Sequence, residues 1–212
     1  PPLARWIFAA LGAAAIVCFC WGVWRRVRIW RLRPWKEERL SWRAGSGRLV
    51  REIFLQHRLR GRGLASTAHL LLFSGFVVLL IGTILIAIEH LLADLLGRPP
   101  AYPVFHYGLY YILYELVLDT FGLALIIGCC IFLWRRFHRP ASLDHKPADL
   151  VILLCLLFLG VTGYVVEGLR ILQAETPQPE CSFVGLAVAR TLEAVGIHHV
   201  QAITLHRWSW WL

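Results

Sequence analysis

The sequence contains no methionine, has only 13 acidic residues against 22 lysines and arginines, and has no cysteine pair spaced C-x-x-C. Each shortage excludes something. No methionine, a proline at position 1 and an apolar run still open at Leu212 set the expectation of an excerpt from a longer chain. A removed signal peptide is the alternative for the start. The cysteines, Cys18, Cys20, Cys129, Cys130, Cys155 and Cys181, lack cluster-binding or zinc spacing. Five fall in apolar runs and read as small membrane-helix residues. Cys181 falls in a polar segment with no evident partner. Internal repeats and low-complexity tracts are also lacking.

Apolar surface is what the chain has in excess. Of its 212 residues, 58% are hydrophobic, and mean hydropathy is +0.61. Ordinary soluble domains sit near 45–50% apolar. Four runs are long enough to cross a bilayer as helices: about Trp6–Trp24, Ser66–Ile88, Tyr107–Trp134 and Leu150–Leu169. A fifth begins at about His206. The expected fold is therefore all-α, an integral membrane helical bundle of four complete transmembrane helices and the start of a fifth.

The net charge of +9 is concentrated rather than spread. Between Arg25 and Arg62 stand twelve arginines and Lys36 against Glu37, Glu38 and Glu52. Arg135, Arg136, Arg139 and Lys146 form a second cluster. Alternating helices put both clusters on one side, and the positive-inside rule makes that side cytoplasmic. The amino terminus is then outside. This charge reads as topology and anionic-lipid contact, so the expected partner is a lipid bilayer and no nucleic acid. Residues 25–64 form a basic cytoplasmic loop. Within it Leu49, Val50, Ile53, Phe54 and His57 recur at helical spacing, so 47–60 are expected as an interfacial amphipathic helix. Residues 173–205 form an outer, periplasmic-side segment opened by Pro177 and Pro179, with a short helix at 184–195.

Few ionisable residues lie inside the apolar runs, which makes each informative. His69 sits one turn into the second run. A neutral imidazole at that depth is either hydrogen-bonded to a neighbouring helix or an axial haem ligand, hence a metal ligand to haem iron. Gly75 and Gly82, near one another in helical projection, would let a macrocycle or a helix approach. His90, His106 and His206 all fall near the outer face. They are candidates for a second haem, or simply solvated. His198 and His199 read as loop residues, and His57, His138 and His145 as surface residues. Glu115 and Asp119 are four apart in the third run and so share a face. They are either structural partners of an arginine or tyrosine, or catalytic groups exchanging protons with a quinone. Glu167 and Arg170 read as an interfacial ion pair.

Four stretches carry a resemblance: Gly63 to Phe76 around His69, Leu118-Asp119-Thr120-Phe121-Gly122, Glu167-Gly168-Leu169-Arg170, and His206-Arg207-Trp208-Ser209-Trp210-Trp211-Leu212. Together they resemble the membrane part of heterodisulfide-reductase-related iron–sulfur proteins. These are bacterial quinone-linked oxidoreductases similar in architecture to the gamma subunit of respiratory nitrate reductase, a five-helix b-type cytochrome. The resemblance spans nearly all of residues 1–212 and implies a nitrate reductase gamma-like domain in the bacterial inner membrane. It implies haem b between the second and fifth helices, with His69 as one axial ligand and the other beyond Leu212. It also implies a cytoplasmic iron–sulfur domain or subunit as partner, with its clusters outside residues 1–212. One departure stands out. The related subunit has a second ligand about three turns after the first, where this chain has Val78-Leu79-Leu80-Ile81. A second haem is then absent or takes His90, His106 or His206. The expected role is electron transfer between quinone and the iron–sulfur partner. A haem-free anchor or assembly subunit and a small proton-coupled transporter are the alternatives.

Overall fold

A computed structural model describes residues 2–31, 47, 63–97, 104–138, 147–173 and 178–209. The described residues are helical, with no strand among them. The order is α1 (Pro2–Arg31), α2 (Leu64–Leu95), α3 (Gly108–His138), α4 (Pro147–Gln173), a 3-10 turn (Pro179–Cys181), α5 (Phe183–Ala194) and α6 (His199–Ser209). Helices α1 to α4 are long and apolar enough to cross a membrane, so the all-α membrane bundle read from the sequence is the fold. Apart from residue 47, the interfacial helix expected at 47–60 lies outside the described residues, as do Arg98-Pro99-Pro100 and the turn from 139 to 146.

Local chemistry explains the helix ends. Helix α4 starts at Pro147, whose missing N–H is harmless in a first turn, and carries Asp149 there, facing the positive end of the helix dipole. Helix α3 ends on Arg135, Arg136 and His138, which suit the negative end. In α1, Arg25 and Arg28 lie 5.7 and 5.6 Å from the ring centres of Trp21 and Trp24, the pairing of aromatic and cation found at a membrane interface. Helix α5 spans 183–194 against the expected 184–195. It closes on Gly196 at φ +94, with Ile197 N–H donating to Leu192 O and Gly196 N–H to Glu193 O. That positive φ suits glycine and turns the chain back at once. Helix α6 therefore starts at His199, seven residues before the fifth apolar run was expected. The apolar count missed its first turns because His198, His199 and Gln201 stand there.

Helices α2, α3 and α4 run antiparallel in sequence order. Between α2 and α3 the contacts step Gly82 to Leu118, Gly75 to Phe121 and Leu125, and Ala68 and Leu72 to Gly128. Between α3 and α4 they step Glu115 to Arg170, Gly122 to Tyr164, and Ile126 to Gly160. The start of α2, the end of α3 and the start of α4 thus share one side. Gly75 and Gly82 admit helix α3: a Cβ at Gly75 would lie 2.6 Å from Phe121 O, and one at Gly82 2.6 Å from Leu118 Cδ2.

Candidate functional site

The ionisable residues inside the spans sort by depth. At the end where α2 begins, His69 is exposed beside the buried Ala68. A Cβ at Gly128 of α3 would lie 2.9 Å from the Ala68 carbonyl oxygen, so α2 meets α3 beside this position. The Phe73 ring lies one turn on, stacked with the imidazole at 6.2 Å between centres. An exposed imidazole on an apolar helix is a side chain that could hold a haem iron. Among the described residues there is no group of three or more metal-ligating side chains.

At the other end, α3, α4 and α5 enclose a polar cluster. Arg170 is its centre. Its Nε and Nη2 donate to Glu167 Oε2 and Oε1 at 2.9 and 2.7 Å. Nη2 also donates to Glu115 Oε2 at 2.6 Å, and Nη1 to the Tyr111 hydroxyl at 3.0 Å. The expected Glu167–Arg170 pair is present, and Glu115 on α3 joins it. Such a planar fork of donors matches carboxylates better than an ammonium would.

Asp119, one turn from Glu115, is engaged elsewhere. It is 5% exposed. Its carboxylate accepts from Ser182 Oγ at 3.2 Å, Val184 N–H at 2.8 Å and Gly185 N–H at 3.1 Å. Ser182 is the residue at the α5 N-cap, yet it makes no capping bond with its own side chain. Asp119 supplies that cap from 63 residues away, with its charge at the positive end of the helix. The Tyr164 hydroxyl donates to the Asp119 carbonyl. Two glycines bring α5 close: a Cβ at Gly168 would lie 2.9 Å from Val188 Cγ1, and one at Gly185 2.6 Å from Glu167 Cγ.

A second carboxylate organises the loop between α2 and α3. Glu89, 8% exposed, accepts through Oε1 from the N–H groups of Val104, Phe105 and His106 at 2.8, 3.3 and 3.2 Å. His106 Nδ1 lies 3.2 Å from Glu89 Oε2, without hydrogen-bonding geometry. The rings of Tyr110, Tyr111 and Tyr114 surround the imidazole edge-on, the closest centre at 4.3 Å. Burial pulls the His106 pKa below the ordinary histidine value; Glu89 opposes that shift and Arg170 adds to it. His90 and His206 are held separately. His90 Nδ1 lies 2.9 Å from Ile86 O of its own helix, and His206 Nδ1 lies 2.9 Å from Gln173 Nε2.

Sequence reasoning missed Glu89, Tyr111, Tyr164 and Gln173. A buried acid near a helix end, followed by a short loop bearing His106, was the available signal for Glu89. The tyrosines gave none, because their partners are backbone carbonyls and Arg170 on other helices.

The chain is 27% identical over 172 residues to an EtfAB:quinone oxidoreductase from Syntrophomonas wolfei subsp. wolfei. The match covers 79% of this chain but 22% of that protein, so the chain spans about a fifth of its relative's length. No family model and no solved structure matches the chain.

Proposed function

We propose that this chain is the membrane domain of a quinone-linked oxidoreductase, a b-type cytochrome domain passing electrons between quinone and a cytoplasmic iron–sulfur domain or partner. The observation that carries the quinone-linked part is the relative's name, EtfAB:quinone oxidoreductase, on a match that covers 79% of the chain; haem and the iron–sulfur partner rest on the resemblance of the stretches around His69, Asp119, Arg170 and His206. In this reading haem b supplies one-electron transfer when bound. His69 would hold it from α2, and the α2–α3 seam keeps that helix in register. Glu115 and Asp119 stand at the opposite end with the outer polar cluster, where quinone and protons would meet. The basic ends of α1 and α3 face the cytoplasm and the amino terminus lies outside, at the bacterial inner membrane.

The test is His69→Ala in the full-length protein. The expected result is loss of the b-type reduced-minus-oxidised absorption with membrane insertion intact. Unchanged haem content would make His69 structural, and a colourless wild-type protein would favour a haem-free anchor. Cysteine labelling of single substitutions in 25–62 tests orientation: labelling from the periplasmic side would overturn it.

A further inference from the structure

Glu115 and Asp119 look alike in sequence, two acids one turn apart on one face. Their surroundings differ in kind. Each Asp119 oxygen already faces a donor: Oδ1 takes Ser182 and Gly185, and Oδ2 takes Val184. All three donors belong to the start of α5. Glu167 holds Arg170 through two parallel bonds. Glu115 has one bond to the same guanidinium, through the Nη2 that Glu167 also holds. Both carboxylates face one atom, Arg170 Nη2, at 2.6 and 2.7 Å. Two carboxylates on a single guanidinium also leave one negative charge over, in a place where an uncompensated charge is costly.

We propose that the two acids have different jobs: Glu115, sharing one proton with Glu167 across Arg170, exchanges that proton with a quinone oxygen, and Asp119 is a positioning residue that holds α5 over the site. The assignment rests on the quinone-linked reading given above. Reduction of a quinone to the quinol takes two electrons and two protons. The electrons come one at a time from the one-electron carrier already named by class. Glu115 gives its proton as a quinone oxygen gains an O–H bond. It is left as a carboxylate on Arg170 and reloads from the outer aqueous side, and a second cycle supplies the second proton. Quinol oxidation runs the same transfers in reverse. The groups facing Glu115 are Tyr111, Tyr114 and Asp119 on its own helix and Glu167 and Arg170 on α4, while Ser182 ahead of α5 bonds Asp119. Beyond them stand His206 of α6, near Arg170 and Glu167, and His106 with Glu89, beside Tyr111.

The experiment compares Glu115→Gln, Glu115→Asp, Asp119→Asn and Ser182→Ala in the full-length protein. A short-chain quinone serves as probe, and amide hydrogen exchange is followed at Val184 and Gly185. Positioned acid–base groups contribute roughly 10²–10⁴-fold. Glu115→Gln should therefore lower kcat about 100-fold and remove a limb of its pH profile, with haem content and α5 exchange unchanged. Glu115→Asp should restore the limb. Asp119→Asn places an NH2 group against an N–H donor. It should speed exchange at Val184 and Gly185 at least tenfold and raise KM for the quinone, with the pH profile intact. Ser182→Ala, which leaves both backbone bonds, should do the same more weakly. Normal turnover in Glu115→Gln would overturn the proton assignment, as would loss of the limb in Asp119→Asn with exchange unchanged. A wild-type protein with no quinone turnover would sink the quinone-linked reading and the Glu115 role with it, while the exchange data would still decide whether Asp119 holds α5.

Discussion

Two seams of the bundle solve one problem in different ways. Between α2 and α3 the helices meet through Ala68, Gly75, Gly82 and Gly128, and the side-chain hydrogen bond that crosses this seam is Tyr114 Oη–H to Gly82 O, 2.9 Å. Between α3, α4 and α5 glycines again admit the neighbouring helix, at Gly122, Gly160, Gly168 and Gly185, and Glu115, Asp119, Glu167 and Arg170 add ion pairs and hydrogen bonds. In lipid there is no hydrophobic gain in bringing helices together, so association comes from close backbone approach or from polar bonds. The first seam uses shape and carries no charge. The second adds charge, and its groups can therefore also do chemistry. A membrane protein that needs a proton-active site can make the same residues serve as glue.

Removing the centre of the polar seam tests this contrast most severely. Arg170→Ala leaves Glu115 and Glu167 without their cation, and breaking such a pair costs about 3 kcal/mol or more. The lower end applies here, since the Arg170 side chain is 28% exposed. Thermal unfolding in detergent should show the largest drop of any single change, with Arg170→Lys intermediate because it keeps the charge and loses the fork. A loss no larger than that of an exposed pair would mean that the cluster does not hold α3 to α4.

The shape-based seam should respond next. A Cβ at Gly128 would lie 2.7 Å from Leu72 N and 2.9 Å from Ala68 O, backbone atoms that cannot swing aside. Gly128→Val should cost about 1–3 kcal/mol by overpacking. Gly163 on α4 is the control. A Cβ there would meet nothing within 4 Å, so Gly163→Ala should be neutral or slightly stabilising. Equal losses at the two glycines would refute close approach as the cause.

Tyr114→Phe removes the polar bond that crosses the apolar seam and should cost about 1 kcal/mol, visible as a small shift in the same melt. The smallest effect lies at the loop between α2 and α3. His106 has a folded-state pKa below its ordinary value, so the unfolded or opened loop binds more protons. Stability from this group is complete above the unfolded pKa of about 6.5 and falls as pH drops through that value toward the folded one. Amide exchange at 104–106 should therefore rise on acidification, and His106→Gln should remove that dependence. A loop that tightens in acid would reverse the sign and make the Glu89 attraction dominant over burial.

The four spans, the all-α class, the clustered basic residues and the short list of intramembrane acids were all legible before any fold was known. Those features depend on local composition and on the 3.6-residue period, which any window of chain carries. Glu115 and Asp119 were likewise marked as sharing a face, since i and i+4 do so on any helix. What each acid touches was not legible. Glu115 meets Arg170, 55 residues on, and Asp119 meets the start of α5, 63 to 66 residues on. The same holds for Gly75 and Gly82, which receive α3, and for Glu89, which collects the loop at 104–106. A carboxylate in a membrane is satisfied by whichever donor the packing of the helices brings beside it. That packing depends on how far each helix slides against the next, which is set by contacts between residues distant in sequence and not by any local pattern.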